Sequence, residues 1–162
     1  MKFAKAERLL HRRVAASCYN RTWDYLEMKK RTREDDRQML ELAHTSRYHW
    51  GIVGTARNRA VGDWQISRVY IELNEPDLAL LYAKSALGIC KKNNLAEVAH
   101  VMNEGMARAY AKAGMRSKAI DHIRLAKRQL AALSLNPEDS EVTQDRSKTP
   151  NASCIEQRPI LG

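Results

Sequence analysis

Two stretches decide the fold: Tyr70-Ile-Glu-Leu-Asn-Glu-Pro-Asp-Leu-Ala79 and Tyr110-Ala-Lys-Ala-Gly-Met-Arg-Ser-Lys-Ala119. In each, a tyrosine is followed nine residues later by one alanine and sixteen later by another, Ala86 and Ala126. A helix breaker lies between, Asn74-Glu75-Pro76 in the first copy and Gly114 in the second. Each copy therefore reads as helix, turn, helix.

Working outward, the expected chain is all-α with about six helices. A first helix spans about Lys5 to Met28 and ends in Lys29-Lys30-Arg31. Phe3, Ala6, Leu10, Val14 and Cys18 mark its apolar spacing. Thr32 caps the second helix, with Asp35 three residues on and Glu34 and Asp36 beside it, where the helix dipole favours negative charge. Gly51 is expected to end that helix after Trp50, and Thr55 to cap the third. Pro76 suits the first turn of the fourth, which carries Leu78, Leu81, Tyr82, Ala86, Leu87 and Ile89. The fifth spans about Leu95 to Ala113. The sixth runs from about Ser117 to Leu133, with Ala119, Ile123, Ala126 and Leu130 inward. Residues 1–135 read as one helical-hairpin domain, and 136–162, which lack periodicity, as a mobile polar tail.

The 162 residues contain only 7 Gly and 4 Pro, too few turn formers for an all-β sandwich or barrel. No apolar run approaches the roughly 18 residues that a membrane span needs. Cys18, Cys90 and Cys154 are odd in number with no close pair, which argues against a disulfide framework or zinc knuckle and for a reducing cytoplasm. The net charge is +9, and residues 1–31 hold nine basic against three acidic side chains. That excess sits on the first helix with no nucleic-acid motif beside it, so solvated helix faces account for it better than nucleic acid does.

The tyrosine–alanine spacing resembles the tetratricopeptide pattern. The offset between copies is 40 residues, against roughly 34 in the usual repeat, so longer helices are expected. The resemblance implies antiparallel hairpins stacked as a short right-handed array, with the first helix of each hairpin lining a groove. In that register Val61, Trp64, Arg68 and Ile71 face the groove from the third helix, and Val101, Glu104, Arg108 and Ala111 from the fifth. Trp64 and Arg68 share one face, as do Glu104 and Arg108, each pair being four apart. Guanidiniums take carboxylate or phosphate in a bidentate manner, and an indole supplies stacking area.

A second cluster, His44, Arg47, Tyr48, His49 and Trp50, closes the second helix. Histidine suits proton transfer or metal ligation near neutral pH. Glu41 with His44, and Glu97 with His100, have the spacing of di-iron helical bundles, but a stacked array has no central metal position. No strained nucleophile turn or phosphate loop is present. The blocks His44-Thr45-Ser46-Arg47-Tyr48-His49-Trp50-Gly51 and Gly62-Asp63-Trp64-Gln65-Ile66-Ser67-Arg68-Val69-Tyr70, with Asn20-Arg21-Thr22-Trp23, are similar to a group of uncharacterised bacterial proteins. The resemblance implies a bacterial cytoplasmic protein with tetratricopeptide-like helices and supplies no reaction.

The expectation is a protein-interaction module without catalytic residues, cofactor or metal. Its groove would take a peptide or protein through Trp64, Arg68, Glu104 and Arg108, with Trp23, Arg47, His49 and Trp50 at one end. Exposed end faces leave self-association open. The competing expectation is a small-ligand site or enzyme built on His44, Arg47, His49 and Trp50.

Overall fold

The structure is a computed structural model that describes residues 4–135. The tail expected over 136–162 lies outside them, as does Cys154. Six α-helices follow one another: α1 (Lys5–Leu26), α2 (Arg33–Val53), α3 (Ala56–Glu72), α4 (Pro76–Lys92), α5 (Ala96–Lys112) and α6 (Arg116–Leu135). Each packs most extensively on its hairpin partner: α1 on α2, α3 on α4 and α5 on α6. The hairpins stack through α2 on α3 and α4 on α5, and α3 also packs directly on α5.

From α3 onward the chain keeps a strict pitch. Helices begin at 56, 76, 96 and 116, so one helix plus one turn takes 20 residues. The three turns are chemically alike. Asn74, Asn94 and Gly114 adopt positive φ of 62°, 53° and 72°. Asn and Gly tolerate that region best, because other side chains strain there. After each, an amide donates back to the carbonyl five residues earlier: Glu75 to Tyr70, Leu95 to Cys90 and Met115 to Tyr110, at 2.9–3.0 Å. These bonds satisfy carbonyls that the helix end leaves open. The Tyr70 and Tyr110 spacing thus reflects a helix-by-helix period, of which the 40-residue offset is two steps.

The caps at Thr32 and Thr55 form as expected. The Thr32 hydroxyl accepts from the Asp35 amide at 3.2 Å, and the Asp35 carboxylate accepts from the Thr32 amide at 2.8 Å. Thr55 and Asn58 repeat the arrangement at 3.3 and 3.0 Å. Gly51 does not end α2, which runs on to Val53. Continuing the helix buries Val53 with Trp50 against Ala15 of α1.

Three further expectations shift. In α1 the buried residues are Ala15, Tyr19, Thr22 and Trp23, while Leu10 is 61% exposed. In α4, Ala79, Leu80, Ala83 and Cys90 join Ala86 and Leu87 in the core, and Leu78 and Leu81 face outward. In α6, Ala119 is buried but Ile123 and Leu130 are 44% and 52% exposed, because among the described residues the last helix packs chiefly on α5. Desolvation by this packing pushes the buried Cys90 thiol up to about 11, so it is an inert core residue at neutral pH.

The centre of α3 is enclosed on all sides. Every residue from Ala60 to Ser67 is buried, including Asp63, Gln65 and Ser67. Buried polar groups need partners, and all three side chains bond to a neighbouring helix, although Gln65 Oε1 accepts no bond among the described residues. Asp63 accepts from Arg47 Nε of α2 at 2.5 Å and from the Ser85 hydroxyl of α4 at 2.6 Å. The Gln65 amide donates to the Tyr19 carbonyl of α1 at 2.9 Å, and the Ser67 hydroxyl to the Ala79 carbonyl of α4 at 2.8 Å. Gly62 makes room for Arg47: a Cβ there would lie 2.7 Å from Arg47 Cδ.

Removing the cation from a buried pair leaves the carboxylate uncompensated, at a cost of about 3 kcal/mol or more. Arg47→Met is therefore expected to lower the unfolding free energy in urea by about that amount. A change within about 0.5 kcal/mol, the range of an ordinary surface substitution, would contradict the pair's structural role.

Candidate functional site

Helices α1, α3 and α5 form one side of the stack. Successive hairpin turns make α3 and α5 run in the same direction, and Arg57 and Glu97, the second residue of each, approach to 4.0 Å. The floor of this side is aromatic. Trp23 of α1 and Trp64 of α3 lie 5.7 Å apart at 45°, and Tyr19 meets Trp23 edge-on at 6.4 Å. Trp64 is 7% exposed, with its indole seated on Gly105 of α5. A Cβ at Gly105 would lie 2.5 Å from Trp64 Cδ1 and 2.8 Å from Nε1. The bare backbone of α5 is what admits the ring. Trp23 and Trp64 therefore form the floor of the site and present little surface to a ligand.

One turn beyond Trp64, Arg68 stands half-buried. Its electrostatic neighbours are Arg108 and Glu104 of α5 and Glu72 on its own helix. Burial lowers the Arg68 pKa from its ordinary value, and repulsion from Arg108 adds to this; Glu104 and Glu72 act the other way. Glu104 is directly ion-paired with Arg108. Glu72 also approaches Arg31 at 3.5 Å, and Arg31 donates to Asp36 at 2.8 Å and to the Tyr25 carbonyl at 3.2 Å. Among the described residues Arg68 makes no hydrogen bond and no ion pair. Val61 and Val101 are buried in the core, and Ala111 is exposed.

The second cluster is dispersed. His44 faces α3 and α4, with Nε2 3.2 Å from the Tyr70 hydroxyl and its ring edge-on to Tyr82 at 5.5 Å. Arg47 goes to Asp63. His49 turns to α1, where its Nδ1 lies 2.6 Å from that of His11. Trp50 packs in a separate small core with Ala15 and Val53. His49 and Trp50 meet neighbours of their own, and although Asp63 also acts electrostatically on His44, the four side chains share no common centre. Among the described residues no group of three or more His, Cys, Asp or Glu is placed to hold a metal ion. No helix among them is long and apolar enough to cross a membrane.

Several participants were not evident from the sequence. Asp63 interrupts a run that reads as core, and a buried acid there signals a cation on another helix. His11 and Ser85 carry no such signal. At the far end, Asn103 joins α5 to α6, donating to Gln129 at 2.8 Å and pairing with His122 Nδ1 at 2.9 Å.

Glycines separate packing from propensity. Gly105→Ala is expected to destabilise by about 1–3 kcal/mol through the clash with Trp64. Gly88→Ala, with nothing within 4 Å of its Cβ, is expected to stabilise α4 by about 0.5–1 kcal/mol. Equal shifts in urea unfolding would contradict the Trp64–Gly105 seat. The histidines supply a pH dependence. Burial is the leading cause that lowers the pKa of His44, His49, His100 and His122 below the ordinary 6.5. As pH falls through that value the unfolded chain takes up protons first, so stability is full above it and declines towards the lower folded pKa values. The urea midpoint is expected to be lower at pH 5.5 than at pH 7.5; a higher one would contradict the burial of these rings.

No family model, no curated protein and no solved structure matches this chain.

Proposed function

We propose that the chain is a short tetratricopeptide-like array whose α1–α3–α5 side binds a peptide or protein partner and carries no chemistry of its own. The observation that supports this most is the placement of Arg68, Glu104 and Arg108 together on the side formed by successive first helices, above an indole floor. The 20-residue pitch, the alike turns and the parallel α3 and α5 support the stacked-array reading. Stacked hairpins present their first helices as a continuous surface, and such surfaces serve for recognition. A bacterial cytoplasmic setting and kinship with the similar bacterial group belong to the same proposal. The reading built on His44, Arg47, His49 and Trp50 has less support, because those side chains share no common centre.

Trp64 is too deeply packed for a contact test, since its removal would damage the core. The test uses Arg68→Gln with Arg108→Gln, and Arg124→Gln on exposed α6 as control. Affinity capture from bacterial cytoplasm is expected to retain a partner with the wild type and the control and to lose it with the folded double variant. Identical capture by all three would contradict the assignment of this side.

A further inference from the structure

Among the described residues every partly buried arginine but one has a partner: Arg57 approaches Glu97, and Arg59 donates to the Gly54 carbonyl. Arg31 has Asp36 and Glu72, Arg47 has Asp63, and Arg108 has Glu104. Arg68 has none among the described residues, although it is half-buried on the same side. A desolvated guanidinium retains its charge and all five N–H donors, and buried charges ordinarily have partners. Leaving it without a partner disfavours the free protein. A ligand that supplies the missing acceptor recovers that loss on binding.

The surroundings select the ligand. Arg68 and Arg108 face two acids, Glu104 and Glu72, so the cluster has no net charge with which to hold a dianion, while Arg68 itself, bonded to neither acid, can take a monoanion. A dianionic phosphate would meet Glu104 and Glu72 at close range. A planar carboxylate accepts two parallel bonds from one guanidinium fork. Next to Arg108, exposed Ala111 keeps α5 low and leaves space for a backbone to pass. We propose that Arg68, with Arg108 beside it, is the subsite for one Asp or Glu side chain of a polypeptide partner. This rests on the reading of the α1–α3–α5 side as the docking surface.

A displayed library of random twelve-residue peptides, selected on the full chain, tests it. Recovered peptides are expected to share one fixed acidic position. Wild type is expected to bind such a peptide at least tenfold more tightly than its Glu→Gln or Asp→Asn version. In Arg68→Gln that ratio is expected to fall to about one, with a thermal midpoint equal to or above wild type. Binders without a fixed acid, or a ratio that survives Arg68→Gln, would overturn the carboxylate subsite while leaving the docking surface standing. Recovery of no binder would overturn both. A midpoint loss in Arg68→Gln as large as that of Arg47→Met would show an internal use for Arg68 and overturn the subsite alone.

Discussion

The Arg47–Asp63 ion pair is the constraint on which the rest of the structure depends. A carboxylate in the middle of a helix that is buried on every face is costly unless neighbours compensate it. Asp63 is compensated from both sides, by α2 and by α4. That demand fixes the rotation of α3 about its axis. With Asp63 set, Gln65 points to α1, Ser67 to α4 and Trp64 to the bare patch at Gly105 of α5. One helix thus carries a specific instruction to each of its four neighbours. Apolar packing supplies most of the driving force, but it is less particular about register than these polar contacts.

The same logic sorts structural residues from functional candidates. Arg47, Asp63, Gln65, Ser67 and Trp64 all have internal partners or seats, and together they account for why the block from Gly62 to Ser67 reads as it does. Arg68 is the next residue and follows a different rule. It lies on the α1–α3–α5 side at the edge of the core and has its charge only loosely balanced by Glu104 and Glu72. A protein that binds a partner through a rigid helical side needs such a group, preorganised and poorly satisfied in the free state.

Much of the fold was legible in the sequence because its signals are local. Thr32 with Asp35, Thr55 with its helix, Pro76 and Gly114 mark boundaries through the chemistry of a few adjacent residues. The Tyr–Ala spacing carried the hairpin. Gly51 misled because a glycine inside a helix serves as well as one at its end, and only the burial of Val53 decides between them. The outward turn of Ile123 and Leu130 was also hidden, since an apolar stripe does not reveal that no seventh helix follows among the described residues. The site was legible in part. Helical spacing placed Trp64 with Arg68 and Glu104 with Arg108, but which side chain forms the floor and which the surface depends on Gly105, forty-one positions from Trp64. The second cluster looked coherent as a string and is not, because consecutive residues on a helix point in different directions.

The central claim is that recognition belongs to the α1–α3–α5 side and that the end of α2 is structural. Amide hydrogen exchange of the full chain, with and without a saturating bound peptide, tests it most directly. Slowed exchange is expected around Trp23, Arg68 and Arg108, with no change from His44 to Trp50. Protection confined to His44–Trp50, with the amides around Arg68 and Arg108 unaffected, would contradict it.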